Sequence, residues 1–378
     1  MTERESEGLL TIDVGAIVTN YLRLRTLLKS GARCGGVVKA DAYGLGAAAV
    51  APALYRAGCR DFFVSLQSEG EALAAVLPAD ARIVLLTGVR PGREKACAER
   101  GLIPILVSID QIRVWVRETT VGGTAAPCGI KVDSGMTRLG MGETELQALL
   151  QQPELLRAAN PCLLLSHLAC ADEPEHPLNR IQLENFRRHV ASVRLICPDI
   201  EASLSNSSGI CLGEDYHFDL VRPGCALYGV NPCPGRDNPM RAVVNLRLPL
   251  LQLRHVEAGC TVGYGATEAA PAGSWLAVVR GGYADGILRT QSGRGCGQAV
   301  LGSERVTVPM RGRVSMDATV FDVSGLSESQ RASLSAIEIL NEELTVDRMG
   351  DAAGTIGYEI LTSLGHRYYR HIIEPTGE

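Results

Sequence analysis

Residues 36–46 read GVVKADAYGLG, and this segment gives the first indication of the architecture. A short apolar run ends at Lys39, and a loop with two glycines follows it. In parallel α/β folds the carboxyl ends of the strands carry the chemistry, and an amine there can be partly desolvated. Such an amine loses its proton more easily and can form a Schiff base with an aldehyde cofactor. An ordinary solvated lysine at a strand end is the alternative, so the rest of the chain must decide between the two.

Similar apolar runs recur along the chain and are separated by stretches with helical periodicity. They predict strands at residues 35–39, 61–65, 82–87, 103–107, 128–132, 162–167, 202–205 and 220–228. Strands that alternate with helices are parallel, and eight of them fit a TIM-like (β/α)8 barrel. We therefore expect an α/β fold whose N-terminal part, residues 13–235, is this barrel.

The first helix has clear start and stop signals in the sequence. Asp13 can accept a hydrogen bond at its N-terminus, and Gly31 can end it. Its apolar face is predicted to comprise Val14, Ile17, Tyr21, Leu24 and Leu28. A helix with one apolar face packs that face against a core, so we expect these side chains to be buried.

The pattern changes after residues 231–239, a loop whose three prolines indicate a domain boundary. Beyond it, strand-like runs with glycine-rich turns replace the helical stripes. They lie at residues 243–248, 250–256, 275–280, 305–310 and 313–322. We expect residues 236–378 to form a mostly-β domain, and residues 1–12 to be an N-terminal strand that packs on it.

Composition narrows the class of protein further. The chain of 378 residues has a net charge of −5, which argues against nucleic acid as the main partner. No apolar run approaches the roughly 18 residues of a membrane span, and the acidic N-terminus does not resemble a signal peptide. The 12 cysteines include no CxxC pair, so we expect no metal site and mostly buried, reduced thiols. These features predict a cytoplasmic protein without a membrane partner.

The segment at residues 36–46 resembles the lysine segment of bacterial alanine racemases, which are enzymes of fold type III that depend on pyridoxal 5'-phosphate (PLP). Further segments match that family in the same order along the chain. They are KVDSGMTRLG (131–140), SHLA (166–169), SNSSG (205–209), VRPGCALYG (221–229), VGYGAT (262–267), GYADG (282–286), GRVSMD (312–317) and TIGYE (355–359). The resemblance therefore covers nearly the whole chain.

The resemblance implies an amino-acid racemase that interconverts L-alanine and D-alanine and supplies D-alanine for peptidoglycan. It also implies a homodimer in which each active site uses residues of both chains. Lys39 would hold PLP as an aldimine and act as a base on one face of the substrate Cα. Tyr264 of the partner subunit would act on the opposite face, which meets the stereochemical need for two bases.

The resemblance also assigns the contacts to the cofactor. Arg222 would hydrogen-bond the pyridine nitrogen, and His167 would support Arg222. Because a guanidinium keeps its proton, the ring nitrogen would stay unprotonated, which favours return of the proton to Cα over side reactions. The phosphate would be held by Tyr43, Ser207, Gly224, Cys225 and Tyr358.

The remaining assignments concern the substrate. Arg138 would contact the phenolic oxygen of PLP and the substrate carboxylate, and Lys131 would orient Arg138 if it is carbamylated. The Met316 backbone N–H of the partner subunit would bind the carboxylate, with Asp317 nearby. Tyr283 resembles a residue of the entryway. A small pocket selects a small amino acid, so alanine is the leading substrate.

Three positions depart from the family pattern: Leu45, Ser315 and Gly357. Gly357 leaves space beside Tyr358, so a racemase for serine or for a broader set of small amino acids stays open. A PLP-dependent decarboxylase is a further alternative, which Arg222 disfavours because such enzymes place an acidic residue at the ring nitrogen. A non-enzymatic PLP-binding barrel is the last one, and Tyr264 and Met316 disfavour it.

Overall fold

The computed structural model describes residues 7–375, which divide into two compact units. Residues 17–240 form the N-terminal unit. Residues 241–375 form the C-terminal unit together with residues 7–16 from the start of the chain. Within the described residues, no helix is long and apolar enough to cross a membrane.

The limits of these units differ by a few residues from those of the predicted domains, 13–235 and 236–378. The predicted N-terminal segment, residues 1–12, lies partly outside the described residues, because description begins at Glu7. The last residues of this segment are part of a strand, Leu9–Asp13, which belongs to the C-terminal unit.

Strands and helices alternate through the first two thirds of the chain, and strands predominate after it. The strands between residues 7 and 375 are β1 (Leu9–Asp13), β2 (Arg33–Cys34), β3 (Gly36–Val37), β4 (Asp61–Val64), β5 (Arg82–Leu85), β6 (Ile103–Leu106), β7 (Cys128–Lys131), β8 (Pro161–Leu165), β9 (Glu201–Ser203), β10 (Leu220–Val221), β11 (Val244–His255), β12 (Cys260–Val262), β13 (Glu268–Ala270), β14 (Trp275–Arg280), β15 (Cys296–Leu301), β16 (Glu304–Pro309), β17 (Ala318–Asp322), β18 (Ala336–Leu340) and β19 (Tyr369–Ile373). The helices are α1 (Val14–Thr26), α2 (Lys39–Gly44), α3 (Ala47–Arg56), α4 (Gln67–Ala74), α5 (Glu94–Glu99), α6 (Ile109–Thr119), α7 (Glu143–Leu150), α8 (Pro153–Ala158), α9 (Pro177–Arg194), α10 (Ser207–Cys211), α11 (Glu328–Ser333), α12 (Val346–Ala353) and α13 (Gly357–Ser363).

The parallel strands of the N-terminal unit close into a barrel. Strands β3 to β9 form one sheet in which each strand pairs with the next, and β10 pairs in parallel with β2. The Gly35 N–H donates to Val221 O (2.9 Å), and the Asp219 N–H donates to Ala202 O (3.1 Å). These bonds join β10 to both edges of the sheet. The predicted (β/α)8 barrel is confirmed, with β2 and β3 counted as one strand.

The first barrel strand is shorter than predicted. The sequence predicts a strand that runs to Lys39, whereas β3 ends at Val37. The segment after it, α2, is a left-handed turn and not a right-handed helix, because φ lies between 52° and 57° from Ala40 to Tyr43. A strand cannot continue through such angles, so Lys39 begins a turn and does not end the strand.

Helix α1 begins as the sequence predicts. The Asp13 carboxylate accepts a hydrogen bond from the Ala16 N–H (2.8 Å), which is the expected cap. Leu28 lies beyond the end of the helix and is half-buried. The other side chains of the predicted apolar face are buried: Val14, Ile17, Tyr21 and Leu24.

Four charged side chains from separate strands of the barrel form an ion-pair network. Arg33 of β2 and Arg82 of β5 each contact Asp61 of β4, with nitrogen to oxygen distances of 3.2 Å. Both arginines also contact Glu201 of β9. The Asp61 side chain is only 1% exposed, so its charge depends on the arginines for compensation. The network thus links strands that are not neighbours in the sheet.

The C-terminal unit is built on an eight-stranded sheet, which confirms the predicted mostly-β domain. The main path of the sheet is β16-β15-β18-β11-β1-β19, and β14 and β17 continue from β11. Strand β1 pairs antiparallel with β11 and parallel with β19, so residues 9–13 lie inside this sheet. A separate hairpin consists of β12 and β13.

Several strands of this unit differ from the prediction. The strands predicted at residues 243–248 and 250–256 are one strand, β11, which continues past Pro249 through two irregularities in register. The strand predicted at residues 313–322 starts only at Ala318. Before it the chain forms a loop in which Gly312 has a φ of 68°. The sequence analysis missed β12, β13, β15, β18 and β19.

All twelve cysteines are free, but burial is less general than predicted. Six are buried, five are half-buried and Cys260 is exposed on the β12–β13 hairpin. Apolar sequence neighbours alone therefore do not ensure burial of a thiol, because strand alternation and helix ends can turn it outward.

We expect Glu201→Gln to lower the free energy of unfolding by about 1–3 kcal/mol, because it removes a negative charge that balances the charges of Arg33 and Arg82. Burial alone would raise the pKa of Glu201, but hydrogen bonds from Arg33 and Arg82 lower it overall. Its stabilising effect is thus present above the unfolded pKa of about 4.3 and is lost as the pH falls through the folded value. Urea unfolding at neutral and acidic pH measures this.

The matched control is Glu184→Gln, which removes an exposed ion pair with Arg180. We expect a loss of at most about 0.5 kcal/mol from that substitution. Equal losses from the two substitutions at neutral pH would show that the barrel network does not contribute as argued.

Candidate active site

Lys39 stands at the start of a left-handed turn, residues 40–43, at the carboxyl end of the first barrel strand. L-residues enter this region at a cost of roughly 1–2 kcal/mol each, so surrounding contacts must hold the turn. The Ala42 N–H donates to Val38 O (2.9 Å). The Asp41 carboxylate accepts from the Ala47 N–H at the start of α3 (2.7 Å). These bonds tie the turn to the strand before it and the helix after it.

The amine of Lys39 is half-buried and has a lowered pKa. Burial is the main cause, and the positive charge of Arg138 lowers the pKa further. The negative charge of Glu69 acts in the opposite direction. A lowered pKa increases the fraction of neutral, nucleophilic amine near neutral pH.

Lys131 ends strand β7 and is buried, with 7% of its surface exposed. Burial lowers the pKa of its amine to about 8, and the charges of Arg222 and Arg138 contribute in the same direction. Lys39 is also close enough to lower this pKa. The barrel therefore brings two amines with lowered pKa values into one electrostatic environment.

Arg222 follows β10 and is buried, with 4% of its surface exposed. Its guanidinium donates to Ser203 Oγ (2.5 Å) and to Ser166 O (2.7 Å). Burial lowers the pKa of Arg222 to about 10, so the group still carries its charge at neutral pH. These bonds hold the guanidinium in one orientation.

His167 lies beside this guanidinium, with its Nδ1 3.4 Å from Arg222 Nη2. Burial lowers the pKa of His167 well below its usual value, and the charges of Arg222 and Lys131 lower it further. The imidazole is therefore neutral at pH 7, and a neutral ring can accept a hydrogen bond from Arg222.

Ser207, Gly224, Cys225 and Tyr43 form a compact group that we call the hydroxyl cluster. Ser207 Oγ accepts hydrogen bonds from the Gly224 N–H (2.9 Å) and the Ala226 N–H (3.2 Å). A Cβ at Gly224 would overlap the Tyr43 hydroxyl oxygen, so only glycine permits this approach. Cys225 is buried beside them.

Tyr228 fixes Tyr43 within the hydroxyl cluster. The centroids of the two rings are 4.6 Å apart. The Tyr228 hydroxyl donates to Val37 O (2.9 Å), which attaches the pair to the end of β3. Burial raises the pKa of Tyr43, so its hydroxyl keeps its proton and remains a donor.

The residues of the N-terminal unit fit a phosphorylated aldehyde such as PLP. Hydroxyls and backbone N–H groups at the hydroxyl cluster can bind phosphate oxygens. The amine of Lys39 can bind the aldehyde carbon. Four further basic side chains that influence one another electrostatically favour an anion: Lys131, Arg138, His167 and Arg222.

The C-terminal unit carries the other predicted site residues. Tyr264, Tyr283 and Met316 are exposed, by 67%, 42% and 53%. A hydrogen bond from the Tyr283 N–H to Ser315 O (2.9 Å) holds the loop at residues 315–317 against the segment that contains Tyr283. Among the described residues, none accepts a hydrogen bond from the Met316 N–H. Tyr358 lies on α13 and is half-buried.

Arg367 organises this loop, and the sequence analysis missed it. Its guanidinium binds both carboxylate oxygens of Asp285, at 2.7 and 2.8 Å. It also donates to Asp317 Oδ1 (2.8 Å), so the carboxylate of Asp317 is engaged by an arginine. Asp285 is 4% exposed and accepts from the Gly282 N–H (3.0 Å). Asp285 and Asp317 both fall in quoted motifs, but Arg367 does not, and no sequence signal connects Arg367 to them.

Gly224→Ala should lower the free energy of unfolding by about 1–3 kcal/mol, because the new methyl group must displace the Tyr43 hydroxyl. Adding Tyr43→Phe should restore part of the loss, because it removes the oxygen that the methyl group would overlap. The rescue should be incomplete, because the ring carbon that bore the oxygen would still lie 3.2 Å from the methyl group. Urea unfolding of the four proteins gives the coupling energy. Gly325→Ala is the control, because nothing lies within 4 Å of a Cβ there. Additive losses at positions 43 and 224 would contradict the contact.

Two family models match the chain. "Alanine racemase, N-terminal domain" matches residues 12–232, and "Alanine racemase, C-terminal domain" matches residues 243–372. The first match ends, and the second begins, close to the limit in sequence between the two units described above.

Individual proteins match over almost their full length. An alanine racemase from Rhodospirillum rubrum is 49% identical over 368 residues, which cover 97% of this chain and 96% of that protein. A catabolic alanine racemase from Mesorhizobium japonicum is 44% identical and covers 99% and 95%. The crystal structure of alanine racemase from Bartonella henselae, with covalently bound pyridoxal phosphate, superposes with a TM-score of 0.90 at 40% identity and covers 97% and 99%.

Proposed function

The chain belongs to the alanine racemase family, and we propose that it interconverts L-alanine and D-alanine with PLP bound covalently to Lys39. The observation that carries the proposal is the amine of Lys39 at the carboxyl end of the first barrel strand, half-buried and with a lowered pKa. A lowered pKa gives this amine a larger neutral fraction than a solvated lysine has, and the neutral form is the one that attacks an aldehyde.

When bound, PLP supplies an electron sink that acidifies the Cα proton of an attached amino acid. In this chemistry the residues of the chain hold the cofactor and move the proton. Arg222 would donate to the pyridine nitrogen and keep its own proton, because its pKa of about 10 lies well above neutral pH. Neutral His167 would accept from the same guanidinium and keep it oriented.

Two bases on opposite faces of Cα can remove a proton from one face and deliver one to the other. Lys39 would both hold the cofactor and act as the base on one face. Tyr264 would be the base on the other face and would come from a second copy of the chain. Its 67% exposure within its own chain supports a position at a surface that another copy covers.

We therefore infer a homodimer with shared active sites. The phosphate would be bound by the hydroxyl cluster and by Tyr358. The substrate carboxylate would be bound by Arg138 and by the Met316 N–H of the partner subunit, with Asp317 nearby and Tyr283 at the entryway. A cytoplasmic location and a role in supplying D-alanine for peptidoglycan belong to the same proposal.

Lys131 would orient Arg138 after carbamylation, which converts its cation into an anion. The reaction needs a neutral amine, and the pKa of about 8 provides more of it as the pH rises through that value. An unmodified, charged Lys131 would instead repel Arg138. Incorporation of ¹³C-labelled carbon dioxide, read by NMR against Lys131→Arg, decides whether the carbamate forms.

Lys39→Ala should abolish racemisation and remove the borohydride-reducible PLP adduct, because it deletes both the amine that binds the aldehyde and one of the two bases. The assay is chiral chromatography of alanine and, in parallel, of serine, which also separates alanine selectivity from broader activity. Lys95→Ala, at an exposed lysine, is the matched control and should retain full activity. Racemisation by Lys39→Ala at the wild-type rate would contradict the role assigned to Lys39.

Mixing Lys39→Ala with Tyr264→Phe, each inactive alone, should restore activity under conditions of subunit exchange. One of the two sites in each mixed dimer would then receive both Lys39 and Tyr264. Racemisation is followed as the two variants are combined, and sedimentation verifies that mixed dimers form. Mixed dimers without recovered activity would contradict sites shared between chains.

A further inference from the structure

One carboxylate next to the Lys39 turn has no part in the function described so far. Glu69 is the third residue of α4. Its Oε1 accepts a hydrogen bond from the Ala40 N–H (2.7 Å). Its Oε2 accepts from the Ser65 N–H (2.7 Å) and the Leu66 N–H (2.9 Å). A single side chain thus connects the end of the second barrel strand with the residue directly after Lys39.

The hydrogen bond to Ala40 constrains the lysine itself. The Ala40 N–H lies in the same peptide plane as the Lys39 carbonyl, so an acceptor that fixes this N–H also fixes the backbone of Lys39. The direction of its Cα–Cβ bond follows from that backbone. A carboxylate acceptor makes the bond stronger than one between neutral groups.

The left-handed turn makes this constraint necessary. Ala40 is its first residue, with a φ of 52°, and the turn contains no glycine before Gly44. Asp41 and Tyr43 hold the later part of the turn through α3 and through the ring of Tyr228. At the start of the turn, where the lysine is, the acceptor is Glu69.

We propose that Glu69 is a positioning residue for Lys39: its carboxylate holds the first peptide of the left-handed turn and thereby aims the lysine amine. This deepens the proposed function and rests on it. The negative charge of Glu69 also acts on the Lys39 amine. The other charged or titratable groups that interact electrostatically with this amine are Arg138, Lys131 and His167.

A purely structural role for Glu69 is the competing explanation, because the Leu66 N–H bond also stabilises the start of α4. Glu71 offers a matched control on the same helix. It accepts from Gln67 Nε2 (2.9 Å) and lies 3.8 Å from Arg93. Glu71→Gln therefore removes a charge of the same kind from the same helix but leaves the bond to Ala40 in place.

The test measures how fast the full-length chain, freed of cofactor, captures PLP at Lys39 across a range of pH. Visible absorbance follows the adduct, and borohydride reduction with peptide mapping verifies the lysine. We expect Glu69→Gln to lower the plateau rate by about tenfold, since one charge-assisted hydrogen bond is lost or displaced. The pH midpoint should move down, because removing a negative charge favours the neutral amine. Glu71→Gln should change neither quantity.

Glu69→Asp distinguishes the effect of side-chain length from the effect of charge. It also provides a second variant if Glu69→Gln folds poorly. It keeps the carboxylate but cannot span both sets of donors, so we expect slow capture with a midpoint close to that of the wild type. If Glu69→Gln loses only unfolding free energy while rate and midpoint match those of Glu71→Gln, the positioning role is wrong. A wild-type chain that forms no adduct at Lys39 would instead overturn the proposed function and this role with it.

Discussion

Closure of the parallel sheet between its first and last strands is the constraint on which the candidate site depends. The Gly35 N–H bonds Val221 O, and the Val37 N–H bonds Pro223 O, each at 2.9 Å. This register sets the end of β3 beside the turn that follows β10, and residues remote in the chain become neighbours. Tyr43 can then lie against Gly224 with no room for a Cβ between them. A slip of one residue would turn the side chains of one strand to the other face and separate the two groups.

Concentrated positive charge is the second consequence of this closure. The charges of Arg138 and Arg222 lower the pKa values of Lys131 and His167, and the charge of Arg138 also lowers that of Lys39. Burial and mutual repulsion together favour neutral amines and a neutral imidazole, while the guanidinium of Arg222 keeps its charge. A site of this kind is prepared for an anion, since a phosphate or a carboxylate would relieve the repulsion. The same repulsion adds to the effect of burial and increases the fraction of neutral amine at Lys39 and Lys131.

Loops are held by charged side chains at two separate places, and in each a charged residue from another element takes part. Glu69 holds the turn at Lys39 in the N-terminal unit. In the C-terminal unit, Arg367 binds Asp285 and Asp317, and Asp285 in turn accepts from the Gly282 N–H. Loops without regular hydrogen bonding need such external partners to keep one conformation. Chemical roles proposed for Lys39 and Met316 therefore depend on residues that take no direct part in them.

The sequence by itself determined the barrel strands, the change to a β-rich unit and the family. Parallel strands buried on both faces are short apolar runs, and ordered motifs from residue 36 to residue 359 leave few alternatives. The tertiary structure alone decided the left-handed turn, the continuity of β11, and the partners of Glu69, Arg367 and Glu201. No glycine marks the turn at positions 40–43, because its conformation is imposed by contacts and not by local preference. Ion pairs and side-chain hydrogen bonds between distant elements leave no periodic signal, since they depend on where the fold brings two residues together in space.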